Sequence, residues 1–153
     1  NIVECWYAKS ALPPKIKRKV CDQFTRIFEK RAIRALFERP DYPCEVWREK
    51  SFEIVNDGEW VSGVFDRVVV HNDANGKPGA ADLLDFKSNR ISEPDQIAVA
   101  VENYRPQIAQ YRRALTRLLG LPPEKISARL LFTYPSLVEP VPEIPDLSIQ
   151  PIG

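Results

Sequence analysis

Two dipeptides, Asp57-Gly58 and Asn75-Gly76, constrain this chain more than any other feature. Both are pairs preferred at the centre of two-residue hairpin turns, where the backbone needs positive φ. Strand registers then follow by counting. Around the first turn Asn56 faces Glu59, which puts Glu49 opposite Asp66. Around the second, Ala74 faces Lys77, which puts Asp66 opposite Asp85. Directly opposed residues share one face of an antiparallel sheet, with Cβ atoms about 4.5–5.5 Å apart. Side chains alternate along a strand, so Lys87 joins Asp85 on that face. Pro78 and Gly79 leave open a longer or bulged second loop, and a one-residue slip would turn Asp85 away.

Three carboxylates in a row beside Val64, Val68 and Leu83 repel one another, and a cation between them relieves that repulsion. Oxygen ligands suit a hard divalent ion. Mg²⁺, or Mn²⁺ in its place, takes one or two carboxylates and keeps several waters for substrate. The backbone carbonyl of Phe86 is a further candidate ligand. For a lone Asp-x-Lys such as Asp85 and Lys87, the ordinary reading is a surface ion pair. Asp66, mid-strand between Phe65 and Val68, is costly to bury without a task. Glu45 and Glu53 share the alternation of Glu49 and are alternatives to it.

The predicted strands run from Cys44 to Val55, Trp60 to Val70, Ala80 to Lys87 and Ala128 to Tyr134. Alternation assigns Phe52, Ile54, Phe65, Leu84 and Phe86 to the face away from the acids, and Val64, Val68, Val70 and Leu83 to the face with them. Both faces are apolar, so helices cover both. One helix is expected from Pro13, with Ile16, Val20, Phe24, Ile27, Phe28, Ala32, Ala35 and Leu36 recurring at helical spacing as its apolar stripe and Pro40 stopping the pattern. Its opposite face carries Lys15, Lys17, Arg18, Lys19, Arg26, Lys30, Arg31 and Arg34, a surface that attracts phosphates or is simply solvated. A second helix spans about Val101 to Leu119, closed by Gly120, with Ala114, Leu115 and Leu118 toward the core. Residues 91–100 read as a loop or short helix. The expected architecture is a three-layer α/β sandwich around a mixed sheet with an antiparallel meander. Ser88, Asn89 and Arg90 leave the third strand on the acidic side, where a polar loop can meet a phosphate.

Four segments in order, EKSFEI, SGVFDRVVV, LLDFKSNR and ENYRPQIAQYRRAL, together resemble the PD-(D/E)XK nuclease domain at the C-terminus of RecB- and AddA-type helicase-nucleases. The resemblance runs from about Glu49 to Tyr134. It implies a restriction-endonuclease-like fold and a metal-dependent deoxyribonuclease of DNA recombination and repair. By position, Asp66 and Asp85 bind the metal and Lys87 orients or activates the attacking water. Glu49 becomes an accessory ligand or orienting group, and Gln107 and Tyr111 support the site and contact DNA. Members of the family usually carry a His or Glu ligand on an earlier helix. No match to it precedes Glu49, and the single histidine, His71, lies past Asp66.

That departure keeps a second reading open, a nuclease fold retained as a noncatalytic DNA-binding or scaffolding module. The 153 residues suffice for one domain, expected to be a fragment of a longer helicase-nuclease whose helicase domains lie in the same chain or a partner subunit. Residues 139–153 form a Pro-rich tail, favouring an extended or edge-lying path. No G-x-x-x-x-G-K-[ST] loop occurs, so ATP hydrolysis would belong elsewhere. No apolar run approaches the roughly 20 residues that cross a bilayer, and the opening lacks a secretory pattern, so a bacterial cytoplasmic location without membrane contact is expected. Cys5, Cys21 and Cys44 are odd in number and irregular in spacing, which suits reduced thiols. An iron–sulfur cluster needs four ligating cysteines, and none is expected.

Overall fold

The computed structural model of the chain describes residues 11–56, 58–91 and 93–143. Cys5, the turn residue Asp57 and the tail beyond Glu143 lie outside the described residues. Helices α1 (Pro14–Glu29) and α2 (Arg31–Phe37) lead into a meander of strands β1 (Cys44–Asn56), β2 (Glu59–Asn72) and β3 (Pro78–Lys87). Helix α3 (Pro94–Leu119) then crosses to β4 (Ile126–Phe132), and β5 (Leu137–Pro140) closes the sheet in the spatial order β1-β2-β3-β4-β5. All neighbours are antiparallel except β3 and β4. A parallel pair needs a long crossover, which α3 supplies.

The two faces of the sheet are covered by different helices. Ile97, Ile108, Ala114 and Leu115 of α3 meet Val68, Val70, Leu83, Leu130 and Phe132. On the other side Ile27 and Ile33 meet Leu84 and Leu131, with Phe28, Phe37 and Phe86 packed around them. Ile108, Leu115, Phe65 and Leu130 are fully buried, each a contribution of about 1.5–3 kcal/mol. The outcome is the expected three-layer α/β sandwich with a mixed sheet, compatible with a restriction-endonuclease-like arrangement.

The strand registers match the counted ones, the second by an unexpected route. Asn56 pairs with Glu59, Lys50 with Phe65 and Arg48 with Arg67. In β2 and β3, Arg67 pairs with Leu84 and Val68 with Leu83. The loop at Asn75-Gly76, however, is not a two-residue turn. Asp73 N–H donates to Lys77 O at 2.7 Å and Gly76 N–H to Asp73 O at 3.0 Å, with Gly76 at φ 75°. Asp73 Oδ1 accepts from the Asn75 and Lys77 amides. This three-residue loop displaces the register by one. A bulge then restores it, because Asn72 pairs with Pro78 but His71 with Ala80, leaving Gly79 as the extra residue.

Four sequence expectations are corrected. Phe52, Ile54 and Phe65 share the α3 core with Val68 and Leu83 rather than facing away from it. The cause lies at Glu49, whose φ of 47° interrupts the β1–β2 ladder at its register position opposite Asp66. Alternation reverses across that point, so the two halves of the hairpin present opposite parities to one helix. Val64 is accordingly turned out and 39% exposed.

The single long N-terminal helix is two helices. Lys30 between them is extended, at φ −75° and ψ 109°, and its Nζ donates to Ser136 O at 2.6 Å. The break turns Ile33 and Leu36 onto the sheet. Ala32 and Ala35, on the stripe of a continuous helix, are exposed.

α3 begins at Pro94, so most of residues 91–100 is helical. Pro94 presets the first-turn φ, and Asp95 complements the dipole there. Gly120, at φ 67°, ends the helix with its N–H on Thr116 O, while Leu118 is 45% exposed rather than core-facing.

The fourth correction concerns the chain end. The strand expected from Ala128 to Tyr134 is Ile126–Phe132, and β5 runs from Leu137 into the first two residues of the Pro-rich tail. Pro140 is tolerated there because β5 is an edge strand.

Candidate metal centre

The acids meet where the β2–β3 ladder ends. The regular pairing stops at Arg67 and Leu84, and beyond it Asp66 Oδ2 accepts the backbone N–H of Phe86 at 2.6 Å. That bond holds the Asp66 carboxylate against β3. Asp85, 3% exposed, follows Leu83 along the face beneath α3. Lys87 extends the same face, with Nζ 2.7 Å from Asp85 Oδ2 and donating to Gln107 Oε1 at 2.7 Å. Gln107 Nε2 in turn donates to Tyr111 Oη at 3.2 Å. One turn earlier on α3, the Tyr104 ring lies 4.0 Å from Lys87 Nζ, and its hydroxyl donates to Asn89 Oδ1 at 2.8 Å.

Tyr111 is set by aromatic packing. Its ring meets Phe52 and Phe65 edge-on, with centroids 5.7 and 5.4 Å apart, and those two phenyls stack at 4.4 Å. Gly63 makes this arrangement possible, since a Cβ there would stand 2.8 Å from the Phe52 ring and 3.3 Å from that of Tyr111.

Charge at this point is under tension. Burial pushes the Asp85 carboxyl above the usual carboxylate range, against the pull of Lys87 and with further upward pressure from Asp66. Burial, followed by the charge of Asp85, likewise raises the Tyr111 phenol. The Lys87 ammonium pairs with Asp85 Oδ2 at 2.7 Å at an angle poor for a hydrogen bond, and that buried oxygen has no better-aligned donor among the described residues. Asp85 Oδ2 has the Lys87 ammonium as its counter-ion, but Asp66 adds a second negative charge that one ammonium does not balance, and a further cation would relieve the excess. Two hard oxygen donors on adjacent strands fit Mg²⁺ or Mn²⁺ chemistry.

Not every residue of the sequence pattern converges here. Glu49 is exposed, and no group of three or more His, Cys, Asp or Glu side chains that could hold a metal occurs among the described residues. Among the described residues, the side-chain carboxylates that come together at this point are Asp66 and Asp85. Of its alternatives, Glu45 accepts from Trp47 Nε1 at 3.1 Å and Glu53 is exposed. Phe86 packs its ring 5.7 Å from Phe37 on the α1–α2 side, while its backbone runs between the two acids. Ser88, Asn89 and Arg90 are exposed where the chain leaves β3. His71 is engaged elsewhere, 3.1 Å from Asp82 and 2.9 Å from the Tyr42 hydroxyl. The sequence pattern does not single out Tyr104, although its i, i+3, i+7 spacing with Gln107 and Tyr111 puts all three on one helix face.

No known family model matches the chain. It is 34% identical over 76 residues to one of the subunits of the ATP-dependent helicase/nuclease of Limosilactobacillus fermentum, a match covering 48% of this chain and 5% of that protein. The chain thus spans a small part of the length of that relative. No described helix is long and apolar enough to cross a membrane.

Proposed function

We propose that this chain is the PD-(D/E)XK, RecB-like nuclease module of a helicase-nuclease, hydrolysing DNA phosphodiesters with Mg²⁺ in recombination and repair. One observation carries the reading: the buried Asp85 carboxylate is ion-paired with the Lys87 ammonium at 2.7 Å and also feels the negative charge of Asp66. The partial likeness to a helicase/nuclease protein supports the same class and suggests helicase domains in the same longer chain or a partner subunit.

Asp66 and Asp85 would hold the ion, with the Phe86 carbonyl as a further donor. Bound there, Mg²⁺ supplies a lowered pKa for water and polarises the phosphoryl oxygens. Lys87 then holds the attacking water against the phosphate and offsets the negative charge that develops on it. Gln107 fixes the direction of the ammonium, and Tyr111 fixes Gln107 in turn. The exposed Ser88, Asn89 and Arg90 take phosphates at the mouth of the site, and the lysines and arginines of α1 add a longer-range attraction for the DNA backbone.

The competing reading, a noncatalytic DNA-binding or scaffolding module, draws on the convergence of only two acids among the described residues. Incubating end-labelled single- and double-stranded DNA with the protein in Mg²⁺, Mn²⁺ or EDTA separates the two. Cutting that EDTA abolishes supports the nuclease; retention of DNA without cutting in either metal supports the binding module.

A further inference from the structure

Lys87 is gripped by more than its two polar neighbours. Its ammonium sits over the face of Tyr104 at 4.0 Å from the ring centroid, within the range where the negative face of an aromatic ring attracts a cation. The side chain of Lys87 is 11% exposed. The ammonium thus has Asp85 and Gln107 as polar contacts and a π-face as a third. From the same ring, the hydroxyl reaches Asn89 at 2.8 Å, so one side chain joins the ammonium to the loop that leaves β3.

From this geometry we infer that Tyr104 is a positioning residue for Lys87, its ring fixing the ammonium over Asp85 and its hydroxyl holding the Asn89 loop at the mouth of the site. The inference extends the proposed nuclease and rests on that reading for its catalytic consequence, though not for its geometry. A lysine carries four rotatable bonds, and a hydrogen bond to one glutamine leaves much of that freedom. The ring adds a third contact to the ammonium beside its two polar partners. Tyr104 touches no reacting group itself. The division of labour between its two ends is separable, because Phe keeps the ring and loses the hydroxyl while Leu loses both.

The test compares Tyr104→Phe and Tyr104→Leu with the parent. In DNA cleavage with Mg²⁺, Tyr104→Leu should lose about tenfold in kcat. Tyr104→Phe should keep kcat near the parent value and show its defect in KM for DNA, since only the Asn89 tether is gone. Equal losses in both variants, or no loss in Leu, would overturn the inference. A second readout is independent of cutting. In NMR spectra the Lys87 ε-methylene protons should be shifted upfield by the ring in the parent and in Tyr104→Phe, and return toward ordinary lysine values in Tyr104→Leu. An unshifted Lys87 signal in a folded parent refutes the ring contact. A shifted signal with no cleavage by the parent would instead leave the contact standing and count against the nuclease.

Discussion

Asp66 Oδ2 receives the backbone N–H of Phe86 at 2.6 Å, so a side chain of β2 meets the main chain of β3 just past the last regular pair of their ladder. The consequence is positional. Asp85 and Lys87 flank Phe86 in sequence, so the same bond that orients Asp66 sets its distance from both. Past this point two acids and an amine come together at the end of the ladder.

The aromatic support of Tyr111 should be sensitive to a single methyl group. A Cβ at Gly63 would lie 2.8 Å from the Phe52 ring, and overpacking of this kind costs roughly 1–3 kcal/mol. Gly63→Ala is expected to lower the stability measured by chemical unfolding by that amount and to reduce cleavage by disturbing Tyr111. A variant as stable and active as the parent would show that the Phe52–Phe65–Tyr111 cluster tolerates displacement.

Arg67 predicts a purely structural effect on the far face of the sheet. It is 3% exposed, and its guanidinium donates to Leu36 O at 2.9 Å and Glu38 O at 3.4 Å, closing the C-terminal end of α2. Hydrogen bonds from a charged donor are worth about 1.5–3 kcal/mol. Arg67→Met should therefore cost on the order of 2 kcal/mol in urea unfolding, with the Asp85–Lys87 pair left in place.

Stability should fall as pH rises through the range in which Asp85 ionises. The carboxyl is raised above its ordinary 3.8, chiefly by burial. The folded state therefore retains a proton that the unfolded state has already lost, and a state with fewer protons is favoured as pH rises. At or below 3.8 the parent and Asp85→Asn should differ least; above it, thermal unfolding should show the balance moving in favour of the variant. A constant difference across pH would mean that Asp85 is not strained by burial.

Removing the amine should separate chemistry from binding. Lys87→Ala is expected to bind DNA with close to parental affinity and to lose about 10²-fold or more in cleavage rate, in line with the loss of a group that stabilises transition-state charge. Parental cutting by this variant, measured on labelled DNA in Mg²⁺, would remove Lys87 from the mechanism.

Much of this site is legible from period-2 alternation and two turn dipeptides, because register across a hairpin is arithmetic once the turn is placed. The arithmetic for β3 nevertheless holds for a different reason than the dipeptide suggests. The Asn75-Gly76 loop has three residues, and Gly79 cancels its offset through a bulge. The face assignment of Phe52, Ile54 and Phe65 was not legible, because it depends on positive φ at a glutamate, which nothing local in the sequence favours. Lys30 is similar. Its neighbours keep helical periodicity, and the break is stabilised by a carbonyl more than a hundred residues away, on Ser136. Tyr104 belongs to a third kind, visible in the helix spacing but recognisable only once Lys87 is seen beneath it.

Manganese binding tests the central claim most directly. Free Mn²⁺ measured by electron paramagnetic resonance should fall as parent protein is added, and this uptake should be lost in Asp85→Asn and Asp66→Asn. Asp73→Ala, which alters an exposed carboxylate occupied with its own hairpin loop, should take up Mn²⁺ as the parent does. No uptake by the parent, or uptake that survives both asparagine substitutions, would contradict a metal centre at Asp66 and Asp85.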